Sequence, residues 1–371
     1  MDSIYQEVYD LIYIGSSPVL LLDALNESMN NKKILVIDKS TQIGGAWQNL
    51  KLFNYKRVEN AVHYLMFNKI GYEFLEKTMD LKLKDSSDKF YALKFLNYKF
   101  LISVNKFYSF FLFNIFNIKF NSIKSIYRSF KNFFIKTNIR KSKYFKNGSF
   151  LFLEKIKNAV YKSSIKMNLG FSISKIIIKE EFAYVHVNEK VYKTKSLILS
   201  HGFIPPNEFT VKDKKITLNL KKFKRPSLHI KTKVSKNDSF FNQRFSQVIF
   251  PANSSIKYSH YLNDYFEDSK NKYYNHIIVA ALNHNFNYSY DLCCKIAKEL
   301  ESYKLIPSAK CREESDFFWQ EILLPQIDNG DLEYLHKISC NIIKTFITEE
   351  ICSSIGKYSL NWNNLNKETF A

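Results

Sequence analysis

Gly15, Ser16 and Ser17 follow directly on the apolar run Leu11-Ile12-Tyr13-Ile14, and Pro18 opens a helix-length apolar segment that reaches about Ser28. A second apolar run, Ile34-Leu35-Val36-Ile37, closes on Asp38-Lys39 and is followed by Gly44-Gly45-Ala46-Trp47. Backbone amides and a helix N-terminus at the first turn suit a pyrophosphate, because donors and helix dipole both favour negative charge there. A carboxylate at the end of the second run can accept hydrogen bonds from ribose hydroxyls. Gly44 and Gly45 carry no Cβ, so backbone can lie close to a ligand or to a neighbouring helix. Types and spacing together suit the ADP half of a dinucleotide.

To place these groups the chain needs two buried parallel strands joined by a helix, and the apolar runs at 11–14, 18–28 and 34–37 supply that βαβ unit. Its glycine fingerprint is incomplete. Only Gly15 stands in the G-x-G-x-x-G pattern, with Ser17 and Leu20 at the second and third positions. Serine is small enough to sit near a phosphate, whereas Leu20 is expected to push the helix away from the strand. A nucleotide-free α/β domain with the same pattern is the alternative reading.

With 371 residues the chain can bury a sizeable core and is expected to hold two interleaved domains. Lys and Arg number 55 against 35 Asp and Glu, a formal net charge of +20 that favours anionic partners. The abundance of Lys, Asn, Ile, Phe and Tyr beside scarce Gly and Pro is also what an AT-rich coding sequence yields, so the charge is discounted as a sign of specific nucleic-acid binding. Five cysteines, odd in number and without metal-ligand spacing, read as reduced thiols of a cytoplasmic protein. The N-terminus MDSIYQEVYD reads as lacking a signal peptide. No apolar run reaches the roughly 18 residues of a membrane-spanning helix. The expectation is a soluble protein, or one that lies peripherally on a membrane. Neither GxxxxGK[ST], HExxH, G-x-S-x-G nor a paired CxxC occurs.

Farther along, Val58, Ala61, Val62 and Leu65 recur at helical spacing, as do Ile70, Phe74 and Leu75; Glu59 and His63 then fall one turn apart on a common face. Residues 85–146 are dominated by Phe, Tyr, Lys and Asn, with strands expected near Tyr91–Val104 and helices to about Ile139. Such interleaving of Lys, Arg and aromatics also suits an anionic membrane surface or single-stranded nucleic acid, with a packed core plus solvated lysines as the favoured reading. Lys146-Asn147-Gly148-Ser149 precedes an amphipathic helix (Leu151, Leu153, Ile156, Val160), then strands over 165–169, 173–178, 183–187 and 195–200 that end on His201-Gly202. Residues 227–234, 247–251, 256–262 and 276–282 read as an antiparallel sheet. Asp291–Leu305, Phe317–Leu324 and Leu332–Glu349 read as helices.

The order strand–GSSP–helix–ILVIDKS–GGAW, and later KNGS–helix–strands–SLILSHG, resembles the FAD-binding superfamily of flavin amine oxidases, phytoene desaturases, UDP-galactopyranose mutases and Rab GDP-dissociation inhibitors. The resemblance covers roughly residues 8–80 and 145–205. It implies an α/β fold in which an FAD/NAD(P)-binding Rossmann-like domain is interleaved with a mixed antiparallel-sheet and helical substrate domain. The implied division is 1–84 and 145–206 for the FAD domain, 85–144 for a helical cap, 207–310 for the sheet domain and 311–371 for a C-terminal helical part. FAD is the implied cofactor, held by Gly15, Ser16, Ser17, Asp38, Lys39, Gly44, Gly45, Ala46 and Trp47. Ile173 would touch adenine through its backbone, with His201 and Gly202 along the dinucleotide. His63 would approach the flavin or its substrate; an ordinary helical histidine paired with Glu59 is the favoured reading. Family flavoproteins end on a strand, a Gly-Asp pair and a helix facing the pyrophosphate. This chain offers only Asn329-Gly330-Asp331, without an apolar strand before it because Pro325 interrupts 322–327, and a simple helix cap is the favoured reading there.

Three functions follow from the resemblance. The first is an FAD-dependent oxidoreductase passing hydride from a small-molecule substrate to flavin. The second is a flavin-dependent nucleotide-sugar mutase, in which Arg57 and Arg244 are placed to clamp an anionic diphosphate. The third is a non-enzymatic binding protein that has lost the cofactor.

Overall fold

The structure, a computed structural model, describes residues 7–59, 65, 69–85, 89–95, 98–103, 143–146, 148–200, 203–218, 220–235, 247–251, 253–262, 273–283, 286–308, 313–327, 329–339 and 342–345. The elements begin with β1 (Glu7–Ile14), α1 (Pro18–Ser28) and β2 (Ile34–Asp38), a 3₁₀ turn at Gly45–Trp47, and the hairpin β3 (Asn49–Leu52) and β4 (Tyr55–Glu59). Next come α2 (Lys69–Glu73), continued by a π turn over Phe74–Thr78, then β5 (Leu83–Asp85), β6 (Lys89–Phe95), β7 (Tyr98–Ser103) and β8 (Lys143–Phe145). After α3 (Phe150–Lys162) follow β9 (Lys166–Leu169), β10 (Ile173–Lys179), β11 (Phe182–Val187), β12 (Lys190–Leu199), β13 (Glu208–Val211) and β14 (Lys214–Lys215). The remainder is β15 (Leu220–Ser235), β16 (Gln247–Ile249), β17 (Ile256–Tyr261), β18 (Tyr273–Leu282), α4 (Tyr290–Ser302), β19 (Phe317–Ile327), α5 (Asn329–Ile338) and β20 (Ile343–Thr345).

Five strands make a parallel sheet in the order β9-β2-β1-β12-β20. Strand β12 has two partners on one side: its first half pairs antiparallel with β11, and Leu197–Leu199 pair parallel with β20. The hairpin β10–β11 therefore hangs off the same sheet, with β13 and β14 outside it. Burial follows the pairing. β1 and β2 are continuously apolar over 11–14 and 34–37, as strands covered on both faces must be, while β11 alternates half-buried and buried. On one face α1 and α3 bury Leu21, Leu25, Phe152, Ile156 and Val160 against Leu11, Tyr13 and Val36. On the other, Ile176, Val185 and Leu335 close over Ile12, Leu35 and Ile37. Leu20 does not push the helix off. It is fully buried in the first of these cores, and the helix docks around it.

A second sheet runs β19-β15-β18-β17-β16-β6-β7, antiparallel except at β16–β6. Helix α4 covers one face, burying Cys293, Ile296, Ala297 and Leu300 against Leu228, Ile230, Ile278 and Ala280. The hairpin β3–β4 lies on the opposite face, with Leu52 and Val58 against Leu262, Ile277 and Val279. Among the described residues no helix is long and apolar enough to cross a membrane.

Four expectations are corrected. Val58 and Glu59 end a strand rather than begin a helix, because the hairpin needs Val58 to face the second sheet. Phe317–Leu324 is part of β19, not a helix, and the strand runs on through Pro325. Proline is tolerated there because β19 is the outermost described strand of its sheet, where a missing N–H breaks no ladder on the open side. An apolar strand thus does precede Gly330-Asp331, but it belongs to the second sheet. The strand that joins the parallel sheet after α5 is β20, within the stretch expected to be helical. The helices expected between 104 and 139, and residues 346–371, lie outside the described residues.

Candidate functional site

The parallel sheet has a switch point beside β1: the chain leaves it for β2 and β9 on one side and returns as β12 and β20 on the other. In open α/β sheets such a point, at the carboxyl ends of the strands, is where ligands bind. Gly15 and Ser200 close these two ends. Gly15 has φ +113°, its N–H donates to the Ile37 carbonyl at 2.8 Å, and a Cβ on it would lie 2.7 Å from Ser200 Oγ. Only glycine fits that conformation in that space.

Beyond Gly15, Ser17 is extended and caps α1, accepting from Leu20 N–H at 3.4 Å, with Pro18 as first helical residue. Pro18 has fixed φ for a helix start but no N–H, so this turn offers an anion one amide fewer than usual. Ser16 is fully buried, and its hydroxyl donates to Asp38 Oδ2 at 2.6 Å. Its carbonyl accepts the Gly44 N–H at 3.0 Å. One serine thus ties the β1 turn, the β2 carboxylate and the glycine doublet together. Asp38 is half-buried, and its Oδ1 also accepts from Ser40 N–H at 2.9 Å. A carboxylate has about four acceptor positions, so these two donors leave room for ribose hydroxyls.

At the doublet, a Cβ on Gly44 would sit 3.0 Å from a Leu153 methyl, whereas one on Gly45 would meet nothing within 4 Å. Gly44 is glycine for helix packing; Gly45 opens onto free space at the site. Ala46 lies in the same 3₁₀ turn. Trp47 packs edge-on to Phe152, ring centroids 5.7 Å apart. Lys39 is exposed, and Ile173 is half-buried at the start of β10. Arg57 pairs with Glu154 at 2.8 Å and stacks over Phe150 at 5.0 Å, so its charge is directed at α3. His63, His201, Gly202 and Arg244 lie outside the described residues. Among the described residues no group of three His, Cys, Asp or Glu could hold a metal ion.

Glu59 was expected beside His63, and Ser200 at the end of the run before His201-Gly202; the structure sets Ser200 against Gly15 and Glu59 against Ser149. Glu59 Oε1 accepts from the Ser149 N–H at 2.6 Å across 90 positions, a contact with no local signature. The site residues that fit FAD are the Asp38 carboxylate with spare acceptor capacity, the capped N-terminus of α1, and the open space at Gly45.

No family model and no curated relative matches the sequence. Solved structures do. The fold is the amine-oxidase-like one. Putrescine oxidase bound to putrescine superposes with a TM-score of 0.62 at 10% identity, covering 99% of this chain and 100% of that one. A putative protoporphyrinogen oxidase from Exiguobacterium gives 0.58 at 8% identity, covering 99% and 100%. Rab GDI from Plasmodium falciparum gives 0.54 at 12% identity, covering 99% of each chain. The architecture expected from the sequence, a Rossmann-like domain interleaved with an antiparallel-sheet domain, is the one observed.

Proposed function

We propose that the chain binds FAD through its ADP half at the carboxyl end of the parallel sheet and serves as an FAD-linked oxidoreductase. The Ser16 junction carries this reading: it holds the Asp38 carboxylate and the Gly44-Gly45 turn against the turn that follows β1. Asp38 would accept from the adenosine ribose, Ser17 would face the pyrophosphate with the α1 N-terminus, and Gly45 would let backbone approach the cofactor. Bound flavin supplies hydride acceptance; the protein supplies orientation and exclusion of water. The substrate is a small molecule, and the net charge of +20 favours an anionic one.

The second reading is a binding protein without cofactor. Ser17 and Leu20 at glycine positions, and the Pro18 that removes an amide, favour it. Visible absorption of the purified protein, before and after adding FAD and desalting, separates the two. Retained flavin bands that are lost in Asp38→Ala support the first reading. A colourless chain that sheds added FAD rejects it and leaves the second.

A further inference from the structure

We propose that Glu59 is a positioning residue, holding the Gly44–Trp47 turn in register with the second sheet by way of α3. The proposal rests on the reading that this turn lines the cofactor site. Glu59 ends β4 and is 4% exposed. Its carboxylate Oε1 accepts the Ser149 N–H at 2.6 Å, at the entrance to α3. Its backbone carbonyl lies 3.3 Å from His229 Nε2 on β15. A carbonyl only accepts, so His229 carries its proton on Nε2 here. One residue therefore grips α3 with its side chain and the second sheet with its main chain.

The grip on α3 reaches the site within one turn of helix. Leu153 presses its methyls to 3.0 and 3.1 Å of the place a Gly44 Cβ would take, and Phe152 packs on Trp47. Phe152 also stacks on Phe145, centroids 5.3 Å apart. Moving the start of α3 would move both contacts. The carboxylate is well placed electrostatically, because a helix N-terminus offers partial positive charge to a buried anion. Ser149 participates through its N–H alone. Its side chain makes no cap hydrogen bond, and its Oγ is buried without a hydrogen-bond partner. That separates this arrangement from an ordinary serine cap and makes the two atoms of Ser149 separately testable.

The experiment compares E59A, E59Q, S149A, S149P and E59A/S149P by FAD affinity and by acrylamide quenching of Trp47, in a chain with Trp319 and Trp362 changed to Phe. Ser149 has φ −74°, which proline adopts, so S149P removes the donated N–H at an allowed φ, and its ring, lying where the N–H pointed, displaces the Glu59 carboxylate. It also keeps the test independent of whether E59A folds. E59A and S149P are expected to weaken FAD binding about tenfold or more, the effect of losing a buried hydrogen bond to a charged group, and to expose Trp47 to quencher. S149A should match the parent, E59Q should stay close to it because it keeps an acceptor oxygen, and the double variant should be no worse than either single. Unchanged affinity and quenching in folded S149P, or single effects that simply add, overturn the proposal. If the parent takes up no FAD, the functional reading falls, while Trp47 quenching still decides whether Glu59 positions the turn.

Discussion

Ser16 shows how much a single residue of this site does. Its hydroxyl is buried against a carboxylate and its carbonyl serves the glycine doublet. Ser16→Ala should therefore cost about 1.5–3 kcal/mol, the range for a hydrogen bond to a charged group, read as a lower denaturation midpoint. Gly15→Ala is a harsher change: φ +113° and the Ser200 contact at 2.7 Å both oppose a Cβ. It is expected to lose about 2 kcal/mol or more, and Ser200→Gly in the same chain should restore the steric part alone. Sequence spacing could point to Gly15 and Asp38 because each sits at the end of an apolar run, and to the doublet because it follows Asp38 at a short interval. It could not show that Ser16 and Asp38 are bonded to each other, or that Glu59 meets Ser149, since such contacts depend on tertiary approach.

Among elements, α4 gives the clearest case of a sequence pattern and its packing agreeing. Leu292, Ile296, Ala297 and Leu300 have the spacing of one stripe; the last three are buried, joined by Cys293, while Leu292 is half-buried at the edge. Burial raises the Cys293 thiol from 9.0 to about 11. The folded chain therefore holds this proton more tightly than the unfolded chain. The resulting stability is complete below pH 9 and is lost as pH rises through about 11. Native protein compared with Cys293→Ala should show a steeper loss of stability across that window, and Cys293 should resist thiol reagents until the helix is unfolded. Strand β19 shows the opposite outcome. Phe317-Phe318-Trp319 followed by Ile322-Leu323-Leu324 satisfies helical spacing, yet pairing with β15 from Leu220–Ile327 to Ile230–Phe317 decides for strand. Period alone could not arbitrate, because the partner strand lies about a hundred residues upstream.

For the molecule as a whole, the βαβ start and the antiparallel strands of the second sheet were legible because local periodicity writes them, whereas β20 and the hairpin's seat on the second sheet were not. A formal charge of +20 should make polyanions stick to this protein at low salt. Heparin retention is expected to fall steeply as salt rises and to show no preference among nucleic-acid sequences, since counterion release carries no sequence information. The parallel sheet has a different consequence for the chain as it is made. β1 pairs with β12 from Glu7–Tyr192 onward, and β12 waits for Ile343–Thr345 to complete its other side. These are contacts of high sequence separation, which slow folding because loop closure must come first. On the ribosome, β1 emerges long before its partner β12, and the free side of β12 together with the core beneath Leu335 stays open until α5 and β20 are synthesised. A chain ending before Ile343 should accumulate as aggregate or depend on chaperones, and refolding of the intact chain should be slow and sensitive to protein concentration.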